Sequence, residues 1–176
     1  MPCANDMNKR TQSVRFTTHA ALIAALYVAL TYLAAWMGLA SGAIQLRFSE
    51  ALCVLVCFTP AAIPGLTVGC FLANLFTGAH MLDVVFGSLA TLLGALGGYA
   101  LSSFARKKYL SFVPTLPTVL ANAVIVPLLL IFVYGVEDAY LFLLFTVTAG
   151  ELLSATVLGT LLLRALTPYA SRLFKK

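Results

Sequence analysis

The chain has 176 residues, 61% of them hydrophobic and 10% charged, with a net charge of +5 and a mean hydropathy of +0.99. A soluble domain carries about a quarter charged residues, and disorder requires low hydrophobicity, so both classes are excluded. At about 20 apolar residues per spanning helix, the length holds roughly five to seven spans and leaves no room for a sizeable soluble catalytic domain.

Residues 1–18 are polar and carry Lys9, Arg10 and Arg15. They read as a cytoplasmic N-terminal segment, and no cleavable leader is expected. The first apolar block runs from His19 to Leu39, with Tyr32 and Trp36 placed to suit a membrane interface. A polar hinge follows, Ser41 to Glu50. The next uncharged stretch, Ala51 to Ala79, is interrupted by Thr59-Pro60 and Pro64-Gly65. Proline removes a helical donor and clashes with the preceding turn, so two short helices are expected, over 51–62 and 64–78. Residues 82–104 form a span ending at Arg106-Lys107-Lys108. Residues 111–134 form another, with Pro114, Pro117 and Pro127 as kinks. After the turn Gly135 to Asp138, a last span covers 139–165 before a basic tail.

Charge decides the helix count. With two helices in 51–79 the total is six, and the basic clusters at the N-terminus, the 105–110 loop and the C-terminus share one side. The positive-inside rule favours that count. The expected fold is an all-α integral membrane protein, one domain over residues 1–176, with six transmembrane helices and both termini cytoplasmic. The protein is expected in the cell membrane as a multi-pass chain. The basic excess reports topology rather than nucleic acid.

Ionisable groups inside a span are costly and mark a cavity or a partner. Glu151 lies in the last span, and either faces a ligand or pairs with Arg47. Glu50 opens the second helix and Asp83 the fourth, both from outside, where Asp83 can cap the helix, bind a ligand, or both. Ser49 is a candidate cap for helix two. Asn74 and Asn122 lie in spans, as interhelical bonds or ligand contacts. Gln45, Arg47 and Glu50 put an amide, a guanidinium and a carboxylate on one short segment. Together these residues outline an outward-facing, acidic pocket for a donor-rich, cationic solute. Phe48, Phe86, Trp36, Tyr134 and Tyr140 can stack on a planar ring, although each alone reads first as a lipid-facing or core residue.

His19 and His80 fall at opposite ends, and Cys53 and Cys57 have no nearby histidine, so no metal site is expected. Ala20 and Ala24, and Ala21, Ala25 and Ala29, recur at four-residue spacing on helix one. Such small-residue stripes serve internal packing or the docking of a partner subunit. No nucleotide-binding loop and no hydrolase or zinc-protease signature is present. If the chain moves a solute, the energy therefore comes from a gradient or from another subunit, and no cofactor and no enzymatic activity are expected of this chain.

The segment Gln45-Leu46-Arg47-Phe48-Ser49-Glu50-Ala51-Leu52 resembles the Q-x-R-x-S-E-A-L signature of the QueT family. Phe58 to Leu66, Gly69-Cys70, Ala73-Asn74 and Leu82 to Leu92 resemble its further signatures, and Asn122 and Gly150-Glu151 fall where that family has polar residues. The likeness is densest over 44–98. It implies an S component, the substrate-binding subunit of an energy-coupling factor importer, working with a membrane scaffold subunit and two cytoplasmic ATPases. The implied ligand is a queuosine precursor, 7-aminomethyl-7-deazaguanine or queuine. The implied scaffold-docking face is Ala21, Ala25 and Ala29, and the implied delivery is a toppling of the subunit in the bilayer. With this ligand, Glu151 or Glu50 would read the guanine-like edge and Asp83 would help hold the amine. The alternatives are an S component for another vitamin, a proton-coupled carrier using Glu151, and a small intramembrane enzyme.

Overall fold

The computed structural model describes residues 4–39, 46–107 and 110–174. Among these every regular element is helical. Helix α1 (Ala4–Trp36) is followed by a 3-10 helix (Phe48–Cys57), α2 (Ala62–Phe76), α3 (Met81–Ala100), two short 3-10 turns, and α4 (Leu116–Phe132). The last helical stretch starts as α5 (Tyr140–Glu151). It continues without a break through a π-helical segment (Leu152–Leu158) into α6 (Gly159–Leu166), and after a 3-10 turn ends in α7 (Ala170–Leu173). Four stretches are long and apolar enough to cross a membrane: Lys9–Trp36, Met81–Ala100, Val113–Phe132 and Tyr140–Leu173. The 3-10 helix and α2 are shorter apolar helices, as the prolines predict.

Contacts give the direction of each element. A methyl group on Gly65 would fall 2.8 Å from the Ala20 carbonyl oxygen, and one on Gly69 2.7 Å from Tyr27 Cβ and 3.0 Å from Ala24 Cα. Further along, Tyr32 Oη donates to the Phe76 carbonyl at 2.9 Å. Helices α1 and α2 therefore run parallel, and the 3-10 helix between them must return across the bundle. Helix α3 starts beside the end of α4, where the His80 backbone N–H donates to Tyr134 Oη. It ends where Gly94 and Gly97 press on Thr118 and Pro117, so α3 and α4 are antiparallel. The 3-10 helix runs alongside the last stretch, with Cys53 beside Ala155 and Val54 beside Gly159.

The 3-10 helix is the hub. Ser49 to Val56 are buried in an unbroken run, the mark of a helix surrounded by other helices. It packs against α1, α2, α3 and the π segment through α6. The outer faces are apolar, with Leu22, Leu26, Val85, Leu93, Leu120 and Phe145 exposed. Large apolar side chains outside and polar ones inside is the arrangement a bilayer demands.

One end gathers the start of α1, the 101–115 connection and the C-terminus. The Phe174 ring stacks on Phe58 and meets His19 edge-on. Cys57, Phe58, Ser102, Ala105 and Phe174 line a cavity of about 300 Å³ there. The opposite end holds Gly38, Gly78 and Gly135, each at positive φ just past a helix. At Gly38 and Gly78 this lets the chain fold back on the last turn, with Leu39 N bonded to Ala34 O and Ala79 N to Asn74 O.

Several boundaries differ from the sequence expectation. The second helix covers Phe48–Cys57 rather than 51–62, because the chain stops at Thr59-Pro60. The third starts at Ala62 rather than 64, since Pro64 falls in the first turn, where its missing N–H costs nothing. Ser49 does not cap the 3-10 helix: Arg47 occupies the N-cap without a side-chain bond, and Thr31 Oγ1 donates to Ser49 Oγ at 3.0 Å. Asp83 is not the cap of α3, because His80 Nδ1 accepts from the Leu82 N–H.

The α1–α2 contact leaves no room for a side chain at Gly69. Replacing Gly69 by Val overfills it, at about 1–3 kcal/mol. The melting temperature of the purified protein in detergent is expected to fall by several degrees with Gly69→Val, while Val68→Ala, on the exposed neighbouring face, leaves it nearly unchanged.

Candidate functional site

The polar residues of the spans converge beside the first turn of the 3-10 helix. Glu50, its third residue, is 2% exposed. Tyr27 Oη donates to Glu50 Oε1 at 2.5 Å. Tyr27 lies nine residues before the end of α1, about 14 Å along its axis, so the carboxylate is held well inside the bundle. The Thr31 to Ser49 bond lies one turn above, so α1 grips the start of the hub at two points.

Asn122 on α4 is within hydrogen-bonding reach of both Glu50 and Glu151. Glu151, the last residue of α5, is buried, and its Oε2 has no hydrogen-bond partner in the protein. Arg47 is half-buried at the head of the 3-10 helix and acts electrostatically on Glu50, Glu151 and Asp83. Phe48 is half-buried beside it. Asp83 is 8% exposed, and Tyr134 Oη donates to its Oδ2 at 2.9 Å. Asn74 on α2 bonds the Asp83 carbonyl at 3.5 Å and the Cys70 sulfur at 3.6 Å. A Cβ on Gly87 would meet both Asn74 and Asp83, so this corner is tightly built.

The structure thus brings Arg47, Glu50, Asn122 and Glu151 together, with Asn74 and Asp83 paired toward the glycine-capped end. Gln45 lies outside the described residues. Of the stacking candidates, Trp36 is 87% exposed, and Phe86 and Tyr140 are also exposed. Their exposure agrees with the reading of these residues as lipid-facing rather than ring-stacking. Tyr134 has a different task from stacking, since it holds the Asp83 carboxylate. Tyr27 was not among the sequence candidates. Its signal was a phenol in the middle of a span, which must find a partner when buried.

The alanine stripes on α1 divide between two faces. Ala20 and Ala24 meet Gly65 and Gly69, while Ala21, Ala25 and Ala29 are exposed on the outside of the bundle.

Three carboxylates, two amides and one guanidinium in an apolar surround make a site richer in acceptors than in donors. Its chemistry suits a small solute carrying several N–H donors and a positive charge. Removing the phenol of Tyr27 leaves Glu50 Oε1 without that donor, at about 1–2 kcal/mol. Tyr27→Phe is expected to lower the melting temperature of the ligand-free protein, and unfolding in detergent measures it.

The family model described as QueT transporter matches residues 17–168, from the membrane part of α1 to the end of α6. A curated relative, the queuosine precursor transporter QueT of Lactococcus lactis subsp. cremoris, is 38% identical over 73 residues. That stretch is 42% of this chain and 43% of the relative, so the likeness spans less than half of that protein's length. No solved structure matches the chain. With four long apolar helices and a match to a family of transporters rather than enzymes, this multi-pass membrane protein belongs to the QueT transporter family.

Proposed function

We propose that this chain is the substrate-binding S component of an energy-coupling factor importer, and that it binds a queuosine precursor, 7-aminomethyl-7-deazaguanine or queuine, from outside the cell. The observation that carries the reading is the pair of buried carboxylates, Glu50 and Glu151, that share Asn122 in the middle of the bundle. A deazaguanine presents adjacent N–H donors at its pyrimidine edge, and an aminomethyl group adds a positive charge. Glu50 already accepts from Tyr27, whereas Glu151 Oε2 is open. Glu151 therefore takes the donor edge. Asp83, nearer the glycine-capped end, takes the amine, and Arg47, Asn122 or Gln45 can donate to the ligand carbonyl. Phe48 and Asn74 complete the wall.

The orientation follows from charge. Lys9, Arg10 and Arg15 precede His19 on α1, and Arg172 lies two residues before Phe174, the ring that His19 meets; Lys107 follows the 3-10 turn at the same end. The positive-inside rule makes that end cytoplasmic, and it opens the Glu50–Asp83 side to the exterior. Import then needs an energy source outside this chain, supplied by a scaffold subunit and two ATPases. The exposed Ala21, Ala25 and Ala29 face of α1 is flat enough for a scaffold helix to approach closely.

Two measurements test the reading. Calorimetric titration of the purified protein with 7-aminomethyl-7-deazaguanine is expected to show saturable binding, weakened about tenfold or more in Glu151→Gln and Glu50→Gln. Asp83→Asn is expected to weaken binding of both bases, since each carries a protonated amine. Unchanged affinity in all three variants would sink the carboxylate assignment. For docking, Ala25→Leu is expected to leave ligand affinity intact and to abolish co-purification with the scaffold and ATPases. A complex that survives this substitution rules out the α1 face.

A further inference from the structure

Directly below Glu50, Asn122 and Glu151 lies a second polar layer drawn from the same three elements. Cys53 follows Glu50 by three residues, Ser154 follows Glu151 by three, and Thr118 precedes Asn122 by four, each about one helical turn. All three are buried, at 4%, 1% and 2% exposure. Thr118 is within hydrogen-bonding reach of Cys53, whose sulfur lies 4.0 Å from the carbonyl of Ala155, the residue after Ser154. Cys53 also lies within electrostatic range of both Glu50 and Glu151. The two layers are therefore stacked, and the lower one is built of small side chains.

Among the described residues, Glu151 Oε2 and Ser154 Oγ are both fully buried without a hydrogen-bond partner in the protein. A buried hydroxyl left unbonded is costly, and native proteins rarely carry such a group without use. Here the open hydroxyl, which can donate, lies three residues along the chain from an open carboxyl oxygen, which can accept. A donor beside an acceptor is the complement of a planar ring edge that carries a carbonyl next to ring N–H groups.

We propose that Ser154 is a specificity-determining residue whose hydroxyl donates to the carbonyl oxygen of the ligand ring while Glu151 accepts the neighbouring N–H groups. The assignment rests on the functional reading above and extends it to a residue outside the sequence-derived set. It makes the end of α5 and the start of the π segment a single reading head for a guanine-like edge, with Thr118 and Cys53 as its floor.

The test compares wild type and Ser154→Ala with two probes. One is 7-aminomethyl-7-deazaguanine, and the other is its 6-thio analogue, which keeps the N–H donors but offers sulfur, a weak acceptor. Ser154→Ala is expected to bind the oxo ligand about tenfold more weakly and the thio ligand at most about twofold more weakly. The melting temperature of the ligand-free variant is expected to be equal to wild type or higher, since the lost hydroxyl has no protein partner. Unchanged affinity for the oxo ligand, an equal loss for both ligands, or a destabilised ligand-free variant each overturns the assignment while the functional reading stands. Failure of wild type to bind either probe overturns the functional reading, and the assignment falls with it.

Discussion

A carboxylate carried into the middle of an apolar bundle has to be solvated by the protein itself. That requirement, imposed by Glu50, organises the elements around it. The residue sits in a helix buried on every side, so each neighbouring element must bring a polar group to the same depth. Helix α1 brings Tyr27 and Thr31, α4 brings Asn122, and the last stretch brings Glu151. An unpaired buried charge costs several kcal/mol, which accounts for the density of polar side chains at this level and their scarcity on the lipid-facing surface. The functional cluster and the stability of the bundle therefore depend on the same contacts.

The position of Tyr27 depends in turn on how closely α1 and α2 approach. Gly65 and Gly69 receive the α1 backbone at Ala20 and Ala24 with no space for a further methyl. Close approach of this kind is how membrane helices gain packing energy, since lipid tails offer no hydrophobic drive to association. It fixes the register of α1 against the bundle and so brings the phenol to Glu50. The same helix turns Ala21, Ala25 and Ala29 outward. One helix therefore carries the donor to the buried carboxylate on its inner face and a flat, small-residue surface on its outer face. A partner seated on the outer face would lie a helix diameter from the site.

Much of this was legible in the sequence because the bilayer imposes strong rules. Charge placement and the prolines at 60 and 64 give the broken helices between 51 and 79, and the polar residues inside spans give Glu50, Asn74, Asp83, Asn122 and Glu151 as the cluster. The structure resolves them into a central group and an Asn74–Asp83 corner. What escaped was pairwise. A serine near a helix start reads as a cap, but Ser49 is taken by Thr31 from another helix. The aromatic residues Trp36, Phe86 and Tyr140 fall on the outside, where the sequence reading places them first. The division of the alanines between two faces depends on where α2 lies, which the α1 sequence does not contain.

The backbone is least regular where the site is. Glu50 belongs to a ten-residue 3-10 helix, although runs beyond three or four residues are uncommon. Glu151 is followed at once by a seven-residue π segment, a conformation found mostly at functional positions. Asn122 precedes Pro127, which sits inside α4 and deprives the Ala123 carbonyl of its helical donor. Two elements thus leave α geometry, and α4 loses one helical hydrogen bond, within a turn or so of the residues they bring to the cluster. Irregular backbone at membrane depth is tolerated where protein covers it or where it lines a cavity, and here it is surrounded by helices. A regular α-helix repeats its side chains every 3.6 residues and would have placed these groups only at fixed azimuths. The 3-10 helix tightens that spacing and the π segment widens it, so side chains from three directions can meet at one depth. The 3-10 geometry thus accompanies the one short helix, too short to span by itself, that forms the polar centre of the bundle.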